Sequence, residues 1–124
     1  RAIAEILDLR RYVTFKSNLS REELLQEYAR AKVFLLPSEY ESYGIAAVEA
    51  IAMGIPTIVN NRSALVEFVK RGAAIGIDPP VTGEKVVEAI LTAKNFKQRD
   101  INGLIMSWDE VAEQLTSIYE LVIT

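Results

Sequence analysis

The 124-residue chain has no cysteine, no histidine, one tryptophan and no apolar run long enough to span a bilayer. Without cysteine there is neither a disulfide framework nor a thiolate metal site. Without histidine, a Ser-His-Asp triad, an imidazole base and the usual zinc ligand sets are excluded within these residues. Any acid, base or nucleophile must come from carboxylates, lysines, hydroxyls or the backbone, and no metal site is expected. Basic excess is lacking as well: 14 Lys and Arg against 17 Asp and Glu leave a net charge of −3. No basic run interleaves with aromatics, so nothing marks a nucleic-acid surface. The longest apolar run, Gly44 to Pro56, is interrupted by Glu49. With nothing like a signal peptide either, a cytoplasmic location is the expectation. The chain starts at Arg1, without methionine and inside a helical pattern, so a fragment is expected.

What is present is a regular alternation. Half of the residues are hydrophobic and a quarter charged, the balance of a globular domain with one core. Short β-rich runs cover Tyr12 to Phe15, Val33 to Pro37, Pro56 to Asn60 and Ala74 to Asp78. Each is nearly all apolar rather than alternating, as strands of a parallel sheet covered on both faces must be. Helices are predicted between them. Ser20-Arg-Glu-Glu23 is a capping box that opens a helix to about Ala31, with Leu24, Leu25, Tyr28 and Ala31 on one face. A second helix runs from about Gly44 to Met53 and stops at Gly54. Ser63 to Lys70 and Gly83 to Ala93 follow, and Ser107 with Glu110 forms another capping box opening a helix to about Val122. Residues 78–81 and 94–100 read as loops. The expected class is α/β, a Rossmann-like parallel sheet with helices on both faces.

In open parallel sheets ligands bind beyond the carboxyl ends of the strands. The loop Ser38-Glu-Tyr-Glu-Ser-Tyr-Gly44 follows the run ending at Pro37. It leads into the start of the second helix, where unpaired N–H groups and the macrodipole favour an anion such as phosphate. Gly44 would clear the way for that approach. Glu49 lies in this helix among Ile45, Ala46, Ala47, Val48, Ala50, Ile51, Ala52 and Met53, a helix expected to be buried. A lone carboxylate there costs roughly several kcal/mol unless it is partnered, and the vicinal hydroxyls of a ribose would serve. Glu41, eight residues earlier, would face the other end of the same ligand.

The segment Phe34-Leu-Leu-Pro-Ser-x-x-Glu-Ser-Tyr-Gly-Ile-x-x-x-Glu-Ala-x-Ala-x-Gly-x-Pro56 resembles the group 1 family of retaining glycosyltransferases, which have the GT-B fold. The similarity continues through Pro56-Thr-Ile-Val, Leu65, Glu67, Gly76 and Ser107-Trp108, from about Tyr12 to Glu120. The resemblance implies that residues 1–124 are part of the C-terminal, nucleotide-sugar-binding domain. The domain's first two strands and the N-terminal acceptor domain would then be missing. In a Rossmann strand order the two missing strands would lie mid-sheet, between the runs at Tyr12 and Val33. The implied reaction is transfer of a sugar, with retention, from a nucleotide diphosphate sugar to a sugar or lipid-linked sugar acceptor. No cofactor is implied, peripheral membrane association of the full-length protein stays open, and the fragment alone is expected to be inactive.

By the same resemblance, Glu41 is the catalytic-site residue and contacts hydroxyls of the donor sugar. Ser42, Tyr43, Gly44 and Ile45 complete the donor site, the backbone N–H groups around 43–45 holding the distal phosphate. Glu49 takes the ribose hydroxyls, and Lys16, Ser17 and Asn18 read the base. Two departures stand out. Many members carry Gly-Gly where this chain has Ser63-Ala64, and the Arg and Lys that clamp the diphosphate are not matched. A noncatalytic Rossmann-like nucleotide-binding or interaction module is the alternative. A response-regulator receiver is disfavoured because Val33 to Ser38 ends without a phospho-acceptor Asp. Taken singly, Tyr40 and Tyr43 read as packing residues, Arg62 as a surface cation, and Trp108 as a core or docking anchor.

Overall fold

The computed structural model describes residues 1–99, 101 and 103–123. The last residue of the loop expected over 94–100, Asp100, lies outside them. The chain divides into two compact units, Arg1–Arg30 and Ala31–Thr124.

The first unit holds two helices, α1 (Ala2–Ile6) and α2 (Arg21–Arg30). The predicted capping box opens α2. The Glu23 N–H donates to Ser20 Oγ at 3.2 Å, and the Ser20 N–H donates to Glu23 Oε2 at 2.7 Å. Tyr28 is the buried residue of this helix.

The strand expected at Tyr12 to Phe15 does not form. The Tyr12 and Val13 N–H groups turn back to the Leu9 carbonyl, and residues 13–17 have no regular structure. Tyr12 and Phe15 are exposed, each with an arginine over its ring: Arg11 at 4.9 Å from the Tyr12 centroid and Arg1 at 5.8 Å from that of Phe15. The physical reason is that a strand is satisfied only by a neighbour's ladder. Without one, aromatic and β-branched residues gain nothing from extension.

The second unit is a three-stranded parallel sheet in the order β1-β2-β3, from β1 (Phe34–Leu36), β2 (Thr57–Asn60) and β3 (Ile75–Ile77). Leu35 pairs with Ile58, and Ile58 in turn with Ile75. All three strands fall inside the runs read from the sequence. Central β2 is buried throughout, and its side chains feed two cores. Val59 packs with Ala47, Ile51, Leu65 and Phe68, while Ile58 packs with Ile77, Ala89 and Ala93. Successive strand side chains point to opposite faces, so the two clusters are the two sides of one sheet.

One side carries α3 (Ile45–Ala52), a 3-10 turn (Ser63–Leu65) and α4 (Val66–Lys70), and the other carries α5 (Gly83–Ala93). This is the expected α/β arrangement with helices on both faces. The last helix, α6 (Trp108–Ile123), opens on the predicted capping box. The Ser107 N–H donates to Glu110 Oε2 at 2.6 Å, and the Glu110 N–H to Ser107 Oγ at 3.2 Å. It has no buried residue, and Trp108 is 88% exposed. The reading of Trp108 as a core residue is therefore overturned.

Candidate active site

The loop after β1 runs over the carboxyl edge of the sheet and enters α3 through Gly44. Gly44 is left-handed, with φ 82° and ψ 48°, and its carbonyl accepts the Ala47 and Val48 N–H groups at 2.9 and 3.1 Å. Gly44, at the N-cap position, supplies no side-chain cap to α3. A glycine is required here for two reasons. The left-handed backbone disfavours a side chain, and a Cβ would lie 2.6 Å from Leu65 Cδ2. The sequence-based reason, clearing a path for phosphate, is thus not needed to explain the residue. The N-terminus of α3 nonetheless faces the loop with its dipole and its glycine.

The loop is docked along its length on the segment that follows β2. The Glu41 N–H donates to Ser63 Oγ at 3.0 Å, and the Ala64 N–H donates to the Glu41 carbonyl at 3.4 Å. Tyr43 meets Phe68 edge-on, with ring centroids 6.5 Å apart. Glu41 is half-buried, Ser42 exposed, Tyr43 53% exposed, Gly44 buried and Ile45 67% exposed. The donor-motif residues 41–45 are therefore one continuous element. Ser63 was missed as part of it. Its signal was the departure of Ser63-Ala64 from the Gly-Gly that the resemblance leads one to expect: a place suited to glycine expects positive φ, and Ser63 has φ 53°.

Glu49 corrects the expectation of a helix buried all round. Ala47, Ala50 and Ile51 form the buried face of α3, against β1 and β2. Ile45, Ala52 and Met53 are exposed, and Glu49 is half-buried. The spacings of four and three put Glu49 on the face of Ile45 and Ala52. A carboxylate there keeps part of its hydration, so burial alone gives no reason for it. Its assignment rests on the motif.

The proposed base-reading residues lie in the first unit, all three exposed. Lys16 Nζ donates to Glu27 Oε1 at 2.6 Å, and this hydrogen bond is the main reason the Glu27 carboxyl is held below its usual range. Asn18 is left-handed, with φ 56°.

Beyond the carboxyl ends of all three strands opens a cleft of about 580 Å³, lined by Pro37, Glu39, Asn60, Arg62, Pro79, Pro80 and Val81. Arg62 sits on its rim, exposed. Asn60 is 2% exposed, and its Oδ1 has no hydrogen-bond partner among the described residues. Neighbouring Asn61 donates through Nδ2 to Asp78 Oδ1 at 2.7 Å, which ties the loops after β2 and β3 together. A second hollow of about 320 Å³ has Tyr43, Ala64, Glu67 and Arg71 among its walls. There Arg71 Nε lies 2.7 Å from Glu67 Oε1 and lowers that carboxyl. Among the described residues no cluster of His, Cys, Asp or Glu could hold a metal ion, and no helix is long and apolar enough to cross a membrane.

Residues 1–102 match the family model of glycosyl transferases group 1. The chain is 29% identical to an uncharacterized glycosyltransferase of Methanocaldococcus jannaschii, over 93% of the chain and 32% of that relative. It is 32% identical to the MMP alpha-(1->4)-mannosyltransferase of Mycolicibacterium hassiacum, over 86% of the chain and 28% of the relative. It is 31% identical to the D-inositol 3-phosphate glycosyltransferase of Corynebacterium jeikeium, over 95% of the chain and 30% of the relative. The chain thus spans about 30% of the length of these relatives.

Proposed function

The chain belongs to the group 1 glycosyl transferases, and from that premise we propose that it is the donor-binding part of a retaining enzyme. That enzyme moves a sugar from a nucleotide diphosphate sugar to an acceptor. Residues 1–124 form part of the donor domain, and the acceptor is held by a domain outside these residues. Glu41 takes the hydroxyls of the donor sugar, the N–H groups of residues 43–45 the distal phosphate, and Glu49 the ribose. Ser42 is assigned to the same donor site, and Lys16, Ser17 and Asn18 are assigned to the base by the family resemblance alone.

The observation that carries this reading is the start of α3, where a left-handed glycine holds the N-cap position directly after the Glu41 loop. As the bond to the sugar breaks, negative charge grows on the departing diphosphate. A helix N-terminus aimed at that position stabilises it without reorganising. Glu41, held through its backbone, can then steady the sugar as it becomes cationic. The two carboxylates at opposite ends of one loop-helix element suit a ligand with hydroxyls at both ends and phosphate between. Sugar transfer is supported by relatives named as a mannosyltransferase and a D-inositol 3-phosphate glycosyltransferase. These residues alone, without a diphosphate-clamping Arg and Lys, do not turn over.

The test is thermal melting of the full-length protein with UDP, GDP or ADP. A ligand at about a hundredfold its Kd adds about 2.7 kcal/mol, so one nucleotide should raise the melting temperature clearly. The Glu49→Ala variant should lose that rise. No shift with any of the three, or a shift the variant keeps, overturns the site. Retention is read separately from the anomeric configuration of the product by proton NMR.

A further inference from the structure

Ser63 combines two properties that conflict unless it has work to do. Its backbone is left-handed, with φ 53°, a conformation that glycine adopts freely and a serine adopts under strain. Its hydroxyl accepts the Glu41 N–H at 3.0 Å, and the next residue, Ala64, donates to the Glu41 carbonyl at 3.4 Å. Both polar groups of the Glu41 peptide are thereby held by two adjacent residues on another loop. A glycine at 63 would relax the backbone and delete one of those two bonds.

Docking continues from there. Leu65, in the same 3-10 turn, is fully buried and fills the space where a Gly44 side chain would go. Phe68, in α4, meets Tyr43. The loop is therefore fixed at its Gly44 end by packing and at its Glu41 end by hydrogen bonds. Among the described residues, only the Glu41 end has a bond that a single side chain supplies.

We propose that Ser63 is a positioning residue whose hydroxyl fixes the Glu41 peptide and so aims the Glu41 carboxylate at the sugar of the donor. This rests on the reading of Glu41 as the sugar-contacting residue. It assigns to Ser63 the discrimination between a nucleotide sugar and the bare nucleotide, because the rest of the donor is held by residues the bond does not touch.

The test titrates the full-length protein with UDP-glucose, GDP-mannose and ADP-glucose, each beside its nucleotide diphosphate. The donor that binds wild type is then used for the variants. Ser63→Gly should weaken that donor about 3- to 10-fold, the span of one net hydrogen bond, and leave the nucleotide diphosphate unchanged. Its melting temperature should equal or exceed that of wild type, since the strain is relieved. Ser63→Asn, which tolerates the left-handed region and carries an acceptor, should recover most of the loss. In a Glu41→Gln background, Ser63→Gly should have no further effect on the preference for donor over nucleotide.

A Ser63→Gly protein that binds the donor like wild type overturns the proposal. So does one that loses donor and nucleotide equally, or whose effect persists undiminished beside Glu41→Gln. If Glu41→Gln itself leaves the preference for donor over nucleotide unchanged, the donor reading of Glu41 fails, which is a separate result.

Discussion

Three of the four longer helices begin with a hydroxyl, and one does not. At α2 and α6, Ser20 and Ser107 take the Glu23 and Glu110 N–H groups while those carboxylates reach back. At α5, Thr82 Oγ1 takes the Lys85 N–H at 3.4 Å. At α3 the corresponding place is held by Gly44, with no side chain to accept anything. Capping is worth about 1 kcal/mol per helix, and serine or aspartate is readily available to evolution at such a position. The difference teaches where structural and functional needs separate. Helices α2, α5 and α6 each satisfy part of their own first turn with a hydroxyl, whereas the helix beside Glu41 has a glycine at that place.

The comparison breaks first at Gly44. Gly44→Ala puts a side chain on a left-handed residue and a Cβ within 2.6 Å of Leu65 Cδ2. Strain and overpacking together should destabilise the unit by about 2–4 kcal/mol, read as a lowered midpoint in urea denaturation. An unchanged midpoint would remove packing as the reason for the glycine and leave its approach to a ligand as the remaining one.

How much of this was legible in the sequence depends on whether a residue's state is set locally. Capping boxes are local, and both were read correctly from Ser20-Glu23 and Ser107-Glu110. The three sheet strands were legible because each apolar run also had a neighbour to pair with. Tyr12 to Phe15 had the same composition but no ladder, and it stays irregular and exposed. Composition predicts what a strand would be made of, while pairing decides whether it exists. Glu49 failed for a related reason. An apolar helix reads as buried, but Ile45 and Met53 are exposed and leave the carboxylate at a border. In the candidate site, the motif gave Glu41, Gly44 and Glu49 by number. Ser63 appeared only as a departure from glycine, because a hydrogen bond between two loops has no periodicity to betray it.

A smaller effect sharpens the capped side of the comparison. Ser20→Ala and Ser107→Ala should each cost about 1 kcal/mol, but they should be felt differently. α2 buries Tyr28, so its loosening couples to the packing of its unit. α6 buries nothing, so Ser107→Ala should fray the first turn of that helix. Amide exchange should show the loss spread through α2 in one variant and confined to the first turn of α6 in the other. Equal and global loss in both would mean that α6 is held by packing rather than by its cap.

The smallest effect comes from pH, and it divides the capped helices among themselves. Glu23 and Glu110 are held below the ordinary carboxylate range, chiefly by the Ser20 and Ser107 backbone N–H groups and then by the serine hydroxyls. An unfolded glutamate titrates near pH 4.3, roughly. The folded state therefore binds the proton less readily than the unfolded chain. The contribution of each box is complete above that value and is lost as pH falls through the lower folded-state value. Both groups are exposed, so the change is local. In an NMR titration from pH 6 to 2.5, the Ser20 and Ser107 amide protons should move with midpoints below about 4.3. The Lys85 amide, capped by a hydroxyl that does not titrate, should move far less. Midpoints at or above the ordinary value would mean that the boxes do not hold in solution, and α3 would then no longer be the exception among these helices.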